Sequence, residues 1–383
     1  MHTQPKQQVV HLGIGALNEI ASILTRLSAR SVFLVADEPA YSASGAADEL
    51  QQLLADRSVK VFTGFEPNPK LPDIERGIQP CRALNPDVVI AVGGGTAIDL
   101  AKLIGALSVC QGAARDIITG RRNLDTTGPP LIAIPTTAGT GSEATHFAVA
   151  YVDGRKYSVA DPRLLPDYAV IDPRLTLNLP PRITAASGLD AFCQSVESIW
   201  AVGATDESIQ HASESVQLAQ KHLQTCVEQS TPASRLAMCQ AAHLSGKAIN
   251  ISKTTAPHAI SYAITSRYGT PHGMAVALTL GQMLQFNASV CDDDCVDPRG
   301  SGKVRSRIDL ILKFLGRSNP KDGAEAIQCL MKSVGAPLRL RDVGIQTDEE
   351  LAWIAEQVDV ERLSNNPRNL AKPDLKRILA AIR

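Results

Sequence analysis

The order of apolar and polar positions changes character part-way along the chain. In the first half, short apolar runs alternate with amphipathic stretches. A strand is expected at Val9–Leu12 and a helix over 17–27, after which Ser31–Ala36 forms an unbroken apolar run closed by Asp37. A run of that length reads as a strand buried on both faces, because helices cover both sides of a parallel sheet. A further strand is expected over 59–62. Then Val88-Val89-Ile90-Ala91-Val92 runs into Gly93-Gly94-Gly95-Thr96 and a helix start through Asp99 and Lys102. The pattern recurs where Leu131-Ile132-Ala133-Ile134 meets Pro135-Thr136-Thr137-Ala138-Gly139-Thr140-Gly141-Ser142-Glu143. Strands alternating with helices imply a mostly parallel sheet with helices on both faces.

After Pro180-Pro181 no strand pattern remains. Helical periodicity dominates, as over 208–228, 234–249 and 306–315, with a polar Gly/Pro-containing interruption over 287–304. A chain of 383 residues exceeds one ordinary core. The expected organisation is an α/β N-terminal domain with a dinucleotide-binding sheet, residues 1–181, and an all-α domain, residues 182–383, that binds metal and substrate. The double proline lies between them.

Composition narrows the class. The chain is 44% hydrophobic, 20% charged and 4% aromatic, as in soluble globular proteins, with a net charge of −1. No overall positive field would attract nucleic acid or a membrane surface. No apolar run is long enough to span a bilayer and the first eight residues are polar, so a cytoplasmic protein is expected. The eight cysteines include no C-x-x-C pair. Cys291 and Cys295, the closest two, flank Asp292-Asp293-Asp294. Free thiols in a reducing compartment follow.

The chemistry starts at the glycines. Gly94, Gly95 and Thr96 stand where a strand ends and a helix begins. Bare backbone there can approach a pyrophosphate, and the helix N-terminus adds free N–H groups and a positive dipole. Thr136, Thr137, Thr140 and Ser142 offer hydroxyls at a second strand end. Neither turn is a G-x-G-x-x-G fingerprint, but two on neighbouring strands would line one crevice. Asp37, ending a strand, suits a ribose 2′-hydroxyl and repels a 2′-phosphate, which favours NAD over NADP.

The second half carries a metal set. Ser187-Gly188-Leu189-Asp190 reads as a capping box with Ser187 as N-cap, leading a helix over 191–200. Asp190 and Gln194, four apart, share one face. His258 and His272 are fourteen apart, with Lys253 upstream and Arg267 between. A carboxylate and two imidazoles from three helices would suit Fe(II) or Zn(II) with positions left for a substrate oxygen.

These pieces together resemble the iron-dependent (group III) alcohol dehydrogenase family, which shares its fold with dehydroquinate synthase. The matching segments are Gly93-Gly94-Gly95-Thr96 with Asp99 and Lys102, residues 135–143, Gly188-Leu189-Asp190-Ala191 and Pro271-His272-Gly273. They run in family order over nearly the whole chain. The resemblance implies NAD(P) on both turns, with Asp99 among its contacts, Asn68 close to the cofactor and Lys156 near the nicotinamide ribose. It also implies one divalent metal on Asp190, Gln194, His258 and His272, and a homodimer. Two departures stand out. The family's D-x-x-x-H has Gln194 in place of histidine, and Tyr262 stands where a second histidine is common four residues after the first C-terminal ligand.

Gln194 and the segment 253–262 look most like a branch that reduces phosphonoacetaldehyde to 2-hydroxyethylphosphonate in phosphonate biosynthesis. A phosphonate dianion needs cations and hydroxyl donors. Lys253, Thr254, Thr255 and Arg267 are close in sequence to the ligands, and His146 follows the second turn. Tyr262 is a candidate proton relay. The alternatives are a dehydrogenase of the same family for phosphonopyruvate, maleylacetate or a simple aldehyde, or a metal-free nucleotide-binding protein.

Overall fold

A computed structural model describes residues 7–358 and 363–383. The chain divides into two compact units, Met1–Leu179 and Pro180–Arg383.

The first unit runs β1 (Val9–Leu12), α1 (Glu19–Arg26), β2 (Ser31–Ala36), α2 (Glu38–Ala43), α3 (Ala46–Leu53), β3 (Ser58–Phe62), α4 (Leu71–Leu84), β4 (Val88–Gly93), α5 (Gly95–Val109), α6 (Ala114–Ile118), β5 (Leu131–Pro135), β6 (Phe147–Val152), β7 (Arg155–Ala160) and β8 (Tyr168–Ile171). Six strands form one parallel sheet in the order β1-β8-β5-β4-β2-β3. Residues two apart share a face of a strand. Phe33, Val35, Val89 and Ala91 therefore pack against Ile74 of α4 and Ile104 of α5. Val32, Leu34, Ile90 and Val92 pack on the other side with Ile20 and Leu24 of α1 and Leu50 of α3. Both faces are covered, which is why the strands read as unbroken apolar runs.

The antiparallel β6–β7 hairpin was not expected from the periodicity. Its signal was local: Asp153 and Gly154, with φ of 49° and 76°, connect an alternating run, as a type I′ turn requires.

The second unit is helical: α7 (Pro181–Trp200), α8 (Asp206–Glu228), α9 (Pro232–Ser252), α10 (Ala256–Tyr268), α11 (His272–Ala288), α12 (Ser301–Phe314), α13 (Pro320–Ser333), α14 (Asp348–Gln357) and α15 (Lys372–Ala381). Pro181 supplies the fixed φ and missing N–H that suit a first helical position. The helix therefore begins well before Ser187, which corrects the capping-box reading. Ser187 Oγ instead donates back to the Ile183 carbonyl at 2.8 Å, mid-helix. From Gly188 to Trp200 every residue of α7 is buried. A helix buried all round must pair its polar side chains inside the protein. Asp190, Gln194, Ser195, Glu197 and Ser198 are those side chains.

Among the described residues no helix is long and apolar enough to cross a membrane. All eight cysteines are free.

Candidate active site

In the first unit, β4 and β5 are adjacent and parallel, with Gly93 in register with Pro135. The two turns therefore meet. Gly93 has φ +150°, and a Cβ on it would sit 2.7 Å from Ala97 Cβ and 2.9 Å from Asp37 Cβ. Only glycine fits there, and Asp37 is brought beside the turn. α5 starts at Gly95 without a side-chain cap. Cβ atoms on Gly94 and Gly95 would lie 3.5 Å from Thr137 Oγ1 and 3.0 Å from Thr140 Oγ1. The Asn68 N–H, at φ +67°, donates to Thr96 Oγ1 at 3.1 Å. Thr136 donates its N–H to Gly93 O at 3.0 Å, yet its own buried hydroxyl has no partner. An orphaned buried hydroxyl, bare glycine backbone and an uncapped helix N-terminus fit a phosphate-bearing nucleotide.

Asp99 and Ser142 are placed differently from the expectation that they face that nucleotide. Ser142 Oγ donates to Asp99 Oδ1, and Asp99 Oδ2 accepts from the Val149 N–H at 2.9 Å. Lys102 Nζ lies 3.3 Å from Ser142 Oγ and donates to Thr145 O at 2.9 Å and Phe147 O at 2.8 Å. The three brace the turns from within. Burial pushes the Asp99 carboxyl up, while Lys102, Ser142, Val149 and, more weakly, Lys156 on β7 pull it back. Burial takes the Lys102 ammonium down to about 8 against the opposing pull of Asp99 and Glu143. His146 lies just before β6, edge-on to Phe147 with ring centroids 5.8 Å apart.

In the second unit, Asp190 of α7, His258 of α10 and His272 of α11 converge, with ligand atoms all within 4.8 Å of one another. Asp190 Oδ1 lies 3.3 Å from His258 Nε2 and 3.9 Å from His272 Nε2. The rings meet edge to face, with centroids 5.4 Å apart. Gly273 makes this approach possible. A Cβ there would sit 2.0 Å from the Ala186 carbonyl oxygen and 2.6 Å from the Asp190 nitrogen. Gly273→Ala is therefore expected to push the start of α11 off α7, lowering Tm and bound metal together. Overpacking of a tight contact costs about 1–3 kcal/mol, and backbone yields less readily than a side chain. Unchanged thermal denaturation and metal content would remove the glycine from this role.

Glu197 was missed from the sequence. It is buried one turn below Gln194, and its Oε1 accepts from His258 Nδ1. Its Oε2 accepts from the Thr255 N–H at 2.7 Å and the Thr255 hydroxyl at 2.8 Å. Trp200 Nε1 in turn donates to Thr255 Oγ1 at 2.8 Å. A carboxylate on Nδ1 keeps the proton there and turns the Nε2 lone pair toward Asp190, as metal-binding histidines require. Burial pushes the His258 imidazole down, but Glu197 and Asp190 outweigh it and hold it at about 9. A cation facing Nε2 would replace that proton. The donor set of one carboxylate and two imidazoles, with a carboxylate behind one ring, thus fits a divalent metal. The available signal was spacing: Asp190, Gln194 and Glu197 lie on one face of α7.

The other expected residues differ in how they stand to the cluster. Gln194, one turn along α7 from Asp190, is buried, and its Oε1 accepts from Ser245 Oγ at 2.9 Å. Tyr262 stacks on the His272 ring, 5.7 Å between centroids and 4° between planes. Thr255 is not a substrate donor, because its hydroxyl is committed to Glu197 and Trp200. Arg267 is exposed. It sits in the last turn of α10, nine residues from His258, with its guanidinium 4.3 Å over the Trp353 ring. Nine residues of helix rise about 13 Å, and cation–π stacking holds the charge on that end. Lys253 is exposed on the turn between α9 and α10.

The model described as iron-containing alcohol dehydrogenase matches residues 7–173, and that of the Fe-containing alcohol dehydrogenase family, C-terminal, matches 184–383. The chain belongs to the iron-containing alcohol dehydrogenase family. This member is an oxidoreductase, as its family is. It is 39% identical over 315 residues to phosphonoacetaldehyde reductase of Streptomyces viridochromogenes, covering 78% of this chain and 76% of that protein. It is 31% identical over 381 residues to long-chain-alcohol dehydrogenase 1 of Geobacillus thermodenitrificans, covering 97% and 94%. Among solved structures, sulfoacetaldehyde reductase from Bifidobacterium kashiwanohense in complex with NAD+ superposes with a TM-score of 0.87 at 28% identity, covering 100% of this chain and 98% of that one.

Proposed function

We propose that this family member reduces a small anionic aldehyde, phosphonoacetaldehyde, to 2-hydroxyethylphosphonate with NADH, as a step in phosphonate biosynthesis. The observation that carries the reading is the Asp190–His258–His272 cluster, set in a chain whose relatives include reductases of two acetaldehydes with anionic head groups. A divalent cation held there supplies Lewis-acid polarisation of the carbonyl, and the dinucleotide supplies the hydride.

The chain's own residues do the rest. Asp190 brings negative charge to the two imidazoles, and Glu197 fixes the direction in which His258 offers its lone pair. Gln194, held by Ser245, adds a neutral amide beside them. In this reading Tyr262, stacked on His272, hands a proton from solvent toward the alkoxide oxygen formed on reduction. In the first unit, Gly94, Gly95 and Thr96 receive the pyrophosphate, and the Thr136 hydroxyl gains the partner it lacks. Asp37 favours a free ribose 2′-hydroxyl, hence NADH over NADPH. Lys156 and Asn68 complete the nucleotide's surroundings.

The test is a panel of carbonyls at fixed metal and NADH. Phosphonoacetaldehyde should show the highest kcat/KM, above phosphonopyruvate, maleylacetate and unsubstituted aldehydes. The near full-length match to a long-chain-alcohol dehydrogenase favours a second reading. Faster turnover of long neutral aldehydes would establish that reading and end the first.

A further inference from the structure

The turn joining α9 to α10 holds a long side chain in a backbone conformation suited to glycine. Lys253 has φ 60° and ψ 177°. That region is essentially reserved for glycine, and an L-residue held in it is strained. The other non-glycine residues with positive φ among those described are Ser28, Asn68, Asn85 and Asp153, all short and mostly of the Asn/Asp type that tolerates it. Lysine has no such excuse.

The surroundings over-determine the turn. The Lys253 N–H donates to Ile249 O at 2.9 Å, and Ser252 Oγ lies 2.9 Å from the Lys253 carbonyl. Asn365 clamps both sides: its Nδ2 donates to Ser252 O at 2.8 Å and to Thr254 O at 2.9 Å. Asn365 is itself fixed, since its Oδ1 accepts from the Gly203 N–H at 2.9 Å and its carbonyl from the Val202 N–H at 3.0 Å. Two residues on, Thr255 is bonded to Glu197, which holds His258. The strained lysine is thus wired to the metal-binding imidazole through one short segment. Glycine would relieve the strain; lysine at this position adds an exposed ammonium instead.

We propose that Lys253 selects aldehydes bearing an anionic head group, and that Asn365 is the positioning residue that holds its strained turn between Ser252 and His258. The proposal rests on the reductase reading above and names the residue that reads the substrate's charge. Charge-assisted bonds to phosphonate oxygens form with the anionic substrate and not with a neutral one.

The experiment compares wild type, Lys253→Gly, Lys253→Met and Asn365→Ala by three measurements: kcat/KM for phosphonoacetaldehyde and for propanal, metal per chain, and Tm. In Lys253→Gly the ratio of the two kcat/KM values should fall about 10- to 100-fold, mainly through KM. Metal content should hold, and Tm should rise by about 2–4 °C, because relieved strain exceeds the extra chain entropy of glycine. Lys253→Met, which keeps the backbone and removes the charge, should lose the same ratio without gaining Tm. Asn365→Ala should lower both ratio and Tm in the wild-type background but leave the ratio unchanged in the Lys253→Gly background. A preserved ratio in Lys253→Gly and Lys253→Met overturns the proposal while leaving the reductase reading intact. A wild-type enzyme that does not prefer phosphonoacetaldehyde over propanal ends both.

Discussion

Asp190→Ala protein should purify with almost no bound metal, and its kcat/KM for aldehyde reduction should fall by roughly a thousandfold or more. Asp190 Oδ1 lies near both imidazoles, at 3.3 Å and 3.9 Å. Without it, the two imidazoles would face the cation with no carboxylate beside them, and Glu197 would act only from behind His258. Lewis-acid polarisation is worth several kcal/mol at the transition state, and each 1.4 kcal/mol is about tenfold in rate. Metal analysis and steady-state kinetics on the same preparation check this, with circular dichroism confirming the helical fold. Full activity in metal-free protein would refute the cluster as the reaction centre.

Glu197→Ala should behave differently. The three metal-facing groups remain, so excess metal should restore much of the activity, which it should not do for Asp190→Ala. Loss of the carboxylate behind a metal-binding histidine costs about 10- to 100-fold in metal affinity. Stability should suffer as well. Glu197 is fully buried and accepts from His258 Nδ1, the Thr255 N–H and the Thr255 hydroxyl. Removing one partner of a buried charged network costs about 3–5 kcal/mol. A metal titration and a thermal melt read the two effects separately. Wild-type affinity in the variant would show that His258 does not depend on Glu197 for its orientation.

Much of the fold was legible because its causes are local. A strand covered on both faces needs an unbroken apolar run, so β2, β4 and β5 announced themselves and the parallel sheet followed. Glycines at two strand ends marked the turns, since only bare backbone permits the contact of Gly93 with Asp37 and Ala97. Asp190, His258 and His272 were legible as ligand types because few side chains bind a divalent cation. Ser187 misled because its cap-like spacing from Asp190 also fits a helix interior, and Pro181 had already started the helix a turn and a half earlier.

What the sequence determined alone is the buried parallel strands and the long helices, the chemistry available at each strand end, and which residues share a helix face. Helical periodicity states a face but not what lies opposite it. The tertiary structure therefore decided that Glu197 backs His258, that Arg267 stacks on Trp353 far along α10 from His258, and that Asp99 and Ser142 face each other. It also decided that Asn365, more than a hundred residues away in sequence, holds Lys253 in a conformation its own side chain disfavours. Such pairings depend on contacts between distant segments, and no local preference encodes them.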